Sequence, residues 1–106
     1  MSADSISVAV IDDQLLVRSG LSMLINSQPD ITVVGEAADG AAAVKLVRRL
    51  VRQSQGPDVV MMDVRMPTLN GLEAARQILE LTEHTKIIML TTFDIDEYVF
   101  EAIQLG

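Results

Sequence analysis

A chain of 106 residues, 49% hydrophobic and 22% charged, has the size of one domain (residues 1–106), and its 3% aromatic content obliges the core to be aliphatic and methionine-containing. Fifteen acidic against eight basic side chains give a net charge of -7, which disfavours counterion-release binding of nucleic acid by this segment. Lack of cysteine excludes a disulfide scaffold and a thiolate metal site, and no apolar run reaches the roughly 18 residues of a membrane span, so a cytoplasmic protein is expected.

Strand-like and helix-like runs alternate, the pattern of βαβ units around a parallel sheet. The first strand, 6–11, runs into Asp12-Asp13, and a helix over about 14–27 follows with Val17, Leu21, Leu24 and Ile25 inward. Gln28-Pro29-Asp30 ends that helix, because proline cannot continue it. A second strand, 31–37, leads through Asp39-Gly40 to a helix over about 40–53, whose Val44, Val47, Leu50 and Val51 turn inward until Gln55-Gly56-Pro57. Its outer face carries Lys45, Arg48, Arg49 and Arg52, read as a solvated surface rather than a phosphate-binding stripe because no aromatic accompanies it.

The third strand, 58–63, is apolar on both faces, as under helices on each side. A loop over 64–70 leads to a third helix with Leu72, Ala75, Ile78 and Leu79 inward. Strand 86–91 precedes a fourth helix over about 95–105 that buries Val99, Ala102 and Ile103, and Leu105-Gly106 reads as its stop. Asn70 with Glu73, and Asp94 with Glu97, have capping-box spacing.

Three strands therefore end in polar residues: Asp12-Asp13, Asp63 and Thr91-Thr92. As neighbouring parallel strands they would meet at their carboxyl ends, where open α/β sheets place their sites. Two carboxylates about 4 Å apart repel by about 4 kcal/mol at an effective dielectric near 20. The acids must share protons or bind a hard cation, and oxygen ligands suit Mg²⁺ or Mn²⁺. Asp63, single and followed by a loop, is the candidate nucleophile toward phosphorus. Asp12 and Asp13 suit one direct and one water-mediated metal contact, and Thr91 could bond a phosphoryl oxygen. A plainer role competes at each aspartate, since Asp13 before Gln14-Leu15 could simply cap a helix. Thr92, Tyr98 and His84 read as a turn, a half-buried helix residue and a surface histidine.

Val10-Ile11-Asp12-Asp13, Asp58-Val59-Val60-Met61-Met62-Asp63-Val64-Arg65-Met66-Pro67, Asn70-Gly71 and Met89-Leu90-Thr91-Thr92-Phe93 together resemble the receiver domain of bacterial two-component response regulators. Gln14 to Leu21 and Thr91 to Asp94 are most similar to the NarL/FixJ-type (LuxR-like) branch, whose members usually carry a C-terminal helix-turn-helix. The resemblance implies a flavodoxin-like three-layer α/β/α sandwich of strand order 2-1-3-4-5, with Asp63 as phosphoacceptor. It implies Mg²⁺ held by Asp13, Asp63 and the backbone carbonyl of Arg65, Asp12 acting through water, and Thr91 swinging toward the phosphate. Pro67 and Gly71 would shape the loop, with Val64, Arg65 and Phe93 flanking the site. A sensor histidine kinase would be the donor, the output would be transcription, and DNA would be bound only through a C-terminal domain.

The family's lysine and the proline after it lie on the fifth strand, which is absent from this chain. The chain is accordingly expected to be a truncated receiver, poorly phosphorylated and inclined to self-associate along its fourth strand. No enzyme activity is expected beyond Mg-dependent self-phosphorylation and self-dephosphorylation. The alternatives are a phosphorylation-independent interaction module or inactive receiver, and an aspartyl phosphatase. The phosphatase is disfavoured because Arg65 stands where its second acid belongs.

Overall fold

A computed structural model describes residues 5–64 and 70–90. The elements run β1 (Ile6–Ile11), α1 (Leu15–Asn26), β2 (Ile31–Ala37), α2 (Gly40–Arg52), β3 (Val59–Asp63), α3 (Gly71–Leu81) and β4 (Lys86–Leu90), each within one or two residues of the sequence expectation. The expected fourth helix, Thr91 and Arg65 lie outside the described residues. All strand pairs are parallel and the order is β2-β1-β3-β4.

That order fixes where the helices go. The chain steps one way from β1 to β2, then back across β1 to β3 and on to β4. Right-handed crossovers therefore put α1 on one face of the sheet and α2 and α3 on the other. Strand alternation agrees, because Ala9, Ile11, Val60 and Met62 join Ala43, Val44, Leu46, Val47 and Leu50 of α2 and Ala74 and Ile78 of α3 in one buried cluster. Ile11, Val47, Met62 and Ile78 are fully buried, and each contributes on the order of 2 kcal/mol from the area withdrawn from water.

The opposite face is less covered. Val8 and Val10 of β1 are buried while Val59 and Met61 of β3 are half-buried, since among the described residues only α1 covers this side, resting on β1 and β2. The stripe expected on α1 needs correction: Leu24 is 68% exposed, whereas Ser22 is buried. Apolar side chains surround much of this helix, so periodicity alone leaves its rotation open. On α3 the inward stripe is Gly71, Ala74, Ala75 and Ile78, leaving Leu79 at its flank and 44% exposed.

Helix starts follow local side-chain chemistry. Asp39 caps α2 by accepting from the Ala42 amide at 2.8 Å, and Asn70 caps α3 by accepting from Glu73 at 2.9 Å. Glu73 does not complete the expected capping box; its carboxylate is bound by Arg76, from Nε at 2.8 Å and from Nη2 at 2.6 Å. Arg76 also reaches Glu80 at 2.8 Å. The hydrogen bond from Arg76 is the main cause that holds the Glu73 carboxyl below its ordinary range. An NMR titration should place the Glu73 midpoint below the usual value of about 4.3, and R76A should restore it; a midpoint indifferent to R76A would show that the bridge does not persist in solution. Because the folded-state value is lowered, the interaction contributes above the ordinary carboxylate range and is lost as pH falls through the Glu73 midpoint. On so exposed a surface its weight is small.

Lys45, Arg48, Arg49 and Arg52 all face solvent, in keeping with a solvated helix face. His84 is exposed, as expected, with its ring against the Thr82 hydroxyl and the Gly56 carbonyl.

A candidate metal and phosphoryl site at the sheet's carboxyl edge

The switch point of this topology lies between β1 and β3, the two strands from which connections leave in opposite directions. Asp12 follows β1 directly and Asp63 is the last residue of β3. Register pairs Ile11 with Met62, so the two acids emerge side by side. Asp13 joins them, and one carboxylate oxygen from each of the three lies within 4.8 Å of the others. Asp12 and Asp63 are buried while Asp13 is exposed.

Buried carboxylates are costly unless hydrogen bonds or counter-charge offset the loss of water. Asp12 Oδ1 accepts from the Gln14 amide at 2.8 Å, and the Asp12 amide donates to the Ala37 carbonyl of β2 at 3.1 Å. This corrects the capping role considered for Asp13. The residue at the N-cap of α1 is Gln14, which makes no side-chain cap, and the acid serving this helix start is Asp12. Asp13 is thereby left with its carboxylate toward solvent and its two acidic neighbours.

The wall beside Asp63 is backbone. The Val64 amide donates to Leu90 of β4 at 3.0 Å, and the Gly71 amide donates to Val64 at 3.0 Å, drawing the start of α3 against the strand end. Leu90 is the register partner of Asp63 and Thr91 is the next residue in the chain. The structure brings together Asp12, Asp13 and Asp63 from the expected set, while Arg65, Thr91, Thr92, Phe93 and Pro67 fall outside the described residues.

Sequence reasoning gave no role to Arg18. Its Nη1 donates to the Asp12 carbonyl at 2.7 Å, and its Nε lies 3.3 Å from Glu36 Oε1. A cation one turn into the helix after an acidic pair is the one sequence signal that could have marked it.

A trio of carboxyl oxygens with no thiolate or imidazole among them is a hard, anionic donor set. It fits Mg²⁺ or Mn²⁺ rather than zinc.

Comparison with known proteins agrees with this geometry. Residues 8–106 match the family model described as response regulator receiver domain. The chain is 49% identical over 106 residues to the transcriptional regulatory protein YxjL of Bacillus subtilis (strain 168), covering all of this chain and 46% of that protein. It is 43% identical over 101 residues to the transcriptional regulatory protein LiaR of the same organism, covering 95% of this chain and 46% of LiaR. The chain thus spans about half the length of these curated relatives. Among solved structures, the response regulator domain of Thermotoga maritima CheB superposes with a TM-score of 0.82 at 39% identity, covering 96% of this chain and 73% of that one. The signal receiver domain of the putative response regulator NarL from Mycobacterium tuberculosis gives 0.80 at 33% identity, covering 97% and 79%.

Proposed function

From the premise that this chain belongs to the response regulator receiver family, we propose that its acid trio is an Mg²⁺-dependent phosphoryl-accepting site with Asp63 as the acceptor. The observation that carries this reading is the convergence of Asp12, Asp13 and Asp63 at the switch point. Asp63 is the acceptor because it ends the interior strand β3, where its carboxylate meets those of Asp12 and Asp13. Asp12, anchored through both its amide and its Oδ1, is the less mobile acid and suits a water-mediated contact; Asp13 and the Arg65 carbonyl supply direct ones.

When bound, Mg²⁺ screens the negative charge of the incoming phosphoryl group and of the carboxylates around it. An Asp63 carboxylate oxygen forms the new bond to phosphorus as the bond to the donor breaks, and the leaving group takes up the proton it needs from solvent. The product is an acyl phosphate on Asp63, whose phosphoryl group carries a charge of about -1.5 to -2 beside two acids in place of the single charge of the carboxylate. Thr91, following the register partner of Asp63, is assigned to donate a hydrogen bond from its hydroxyl to a phosphoryl oxygen. By analogy with the regulators it resembles, the whole protein takes its phosphoryl group from the phosphohistidine of a sensor kinase and controls transcription through a DNA-binding region beyond this segment.

Incubation with acetyl phosphate and Mg²⁺ tests the proposal. Intact mass should rise by one phosphoryl group in a hydroxylamine-labile form, and D63N should abolish the adduct together with Mg²⁺-dependent beryllofluoride binding seen by ¹⁹F NMR. Labelling that persists in D63N, or that ignores chelation of Mg²⁺, would defeat it.

A further inference from the structure

The peptide plane that joins Asp12 to Asp13 is pinned by a guanidinium. Arg18 Nη1 donates to the Asp12 carbonyl oxygen at 2.7 Å, while Nε sits 3.3 Å from Glu36 Oε1. The Arg18 side chain is only 15% exposed, so this contact is largely shielded from water. Because a peptide unit is planar, fixing that oxygen also fixes the Asp13 amide and Cα; with the Gln14 amide held by Asp12 Oδ1 at 2.8 Å on the other side, the two contacts together set the direction in which the Asp13 side chain leaves the backbone. Asp13 itself is exposed, so its aim depends on how the backbone on either side of it is held.

The far end of the strut depends on a β-bulge. Val33 pairs with Val8 and Gly35 with Ala9, leaving Val34 as an extra residue in β2. Glu36 consequently pairs with Val10, on the face covered by α1. Without the extra residue Glu36 would align with Ile11 and point to the α2 side, away from Arg18. The bulge therefore decides whether Arg18 has a carboxylate to lean on.

Resting on the receiver reading above, we propose that Arg18 is a positioning residue of the metal site. It aims Asp13 at the ion through the Asp12 carbonyl, and Glu36 orients Arg18 in turn. Two effects of Arg18 on a metal ion oppose each other, and their signs separate them. As a mere positive charge near the trio it repels a second cation, so its removal would tighten Mg²⁺ binding. As a strut it holds Asp13 in place, so its removal loosens binding.

Mg²⁺ titrations followed by amide NMR shifts of residues 12–14, with metal-free thermal melts alongside, decide between them. R18A should weaken Mg²⁺ binding roughly tenfold, the usual scale for losing a partner that orients a ligand. R18K should recover little of this, since a single ammonium lacks the two-ended fork. E36Q should produce a smaller loss. In a D13N background R18A should add nothing, because the residue it aims no longer binds; a general loosening of the fold would add its full effect there. Unchanged or tighter binding in R18A, or an undiminished effect in the D13N background, overturns the proposal. Should R18A fail to fold, R18K and the same D13N comparison carry the decision by the same criterion. A wild-type protein whose residues 12–14 ignore Mg²⁺ would instead sink the receiver reading on which this inference stands.

Discussion

Neutralising Asp13 as D13N is expected to stabilise the metal-free protein and to remove most of the stabilisation that Mg²⁺ confers. Carboxylate oxygens within 4.8 Å of one another repel by roughly 3–4 kcal/mol per pair at an effective dielectric near 20. Asp13 is exposed, so solvent reduces its share to about 1 kcal/mol, which is the gain expected for D13N in chelator. The helix start does not suffer, because the acceptor for the Gln14 amide is Asp12 rather than Asp13. Wild-type protein should behave oppositely with metal: at a hundred times its dissociation constant, a ligand that binds only the folded state adds about 2.7 kcal/mol. Urea melts of the two proteins should therefore exchange order between chelator and saturating Mg²⁺. A D13N protein less stable than wild type in chelator would mean that a favourable contact of the Asp13 carboxylate outweighs its repulsion by Asp12 and Asp63.

This site was legible in the sequence for a topological reason. Asp12-Asp13 and Asp63 each follow an unbroken apolar run, and alternating strands and helices leave few ways to arrange the runs except side by side. Strand ends of a parallel sheet then collect on one edge whatever the details of packing. Helix rotation is a different kind of information. Leu15, Leu16, Val17, Leu21, Met23, Leu24 and Ile25 surround so much of α1 that more than one phase satisfies the pattern, and the inward face included Ser22 instead of Leu24. On α3 the small residues Gly71, Ala74 and Ala75 allowed close approach to the sheet and displaced Leu79 to the flank. Neither outcome follows from periodicity, which records polarity and not size.

The Arg18 strut was illegible for a third reason. It joins α1 to the loop after β1 and to β2, and its existence turns on a one-residue bulge at Val34; Gly35 beside it hints at a bulge but not at the register that results. A shift of one residue reverses the face of every side chain beyond it. Sequence patterns locate strands more securely than they locate their register, so contacts that depend on register appear only in three dimensions.

Glycine-to-alanine substitutions at three positions should give three different outcomes, with the largest effect at the site. Gly71 opens α3, and a Cβ there would fall on the Asp63 carbonyl oxygen and the Val64 Cα, backbone atoms that cannot rotate aside. Alanine normally improves a helix by up to about 1 kcal/mol over glycine, yet overpacking costs roughly 1–3 kcal/mol, and at its upper end where backbone must move. We expect G71A to lose about 2 kcal/mol in urea unfolding, and, because the displaced atoms belong to Asp63 and Val64, to weaken Mg²⁺ binding as well. At Gly35 the obstructing atoms are the methyl tips of Leu46, 2.8 and 2.9 Å from the added carbon, and a rotamer change can clear them, so G35A should cost less. At Gly20, inside α1, nothing lies within 4 Å, and G20A should be stabilising by up to about 1 kcal/mol. A G71A protein as stable as wild type, with its metal affinity intact, would mean that α3 does not press against the end of β3 as closely as the Gly71–Val64 hydrogen bond requires. The backbone wall beside Asp63 would then be looser than the geometry of the site allows.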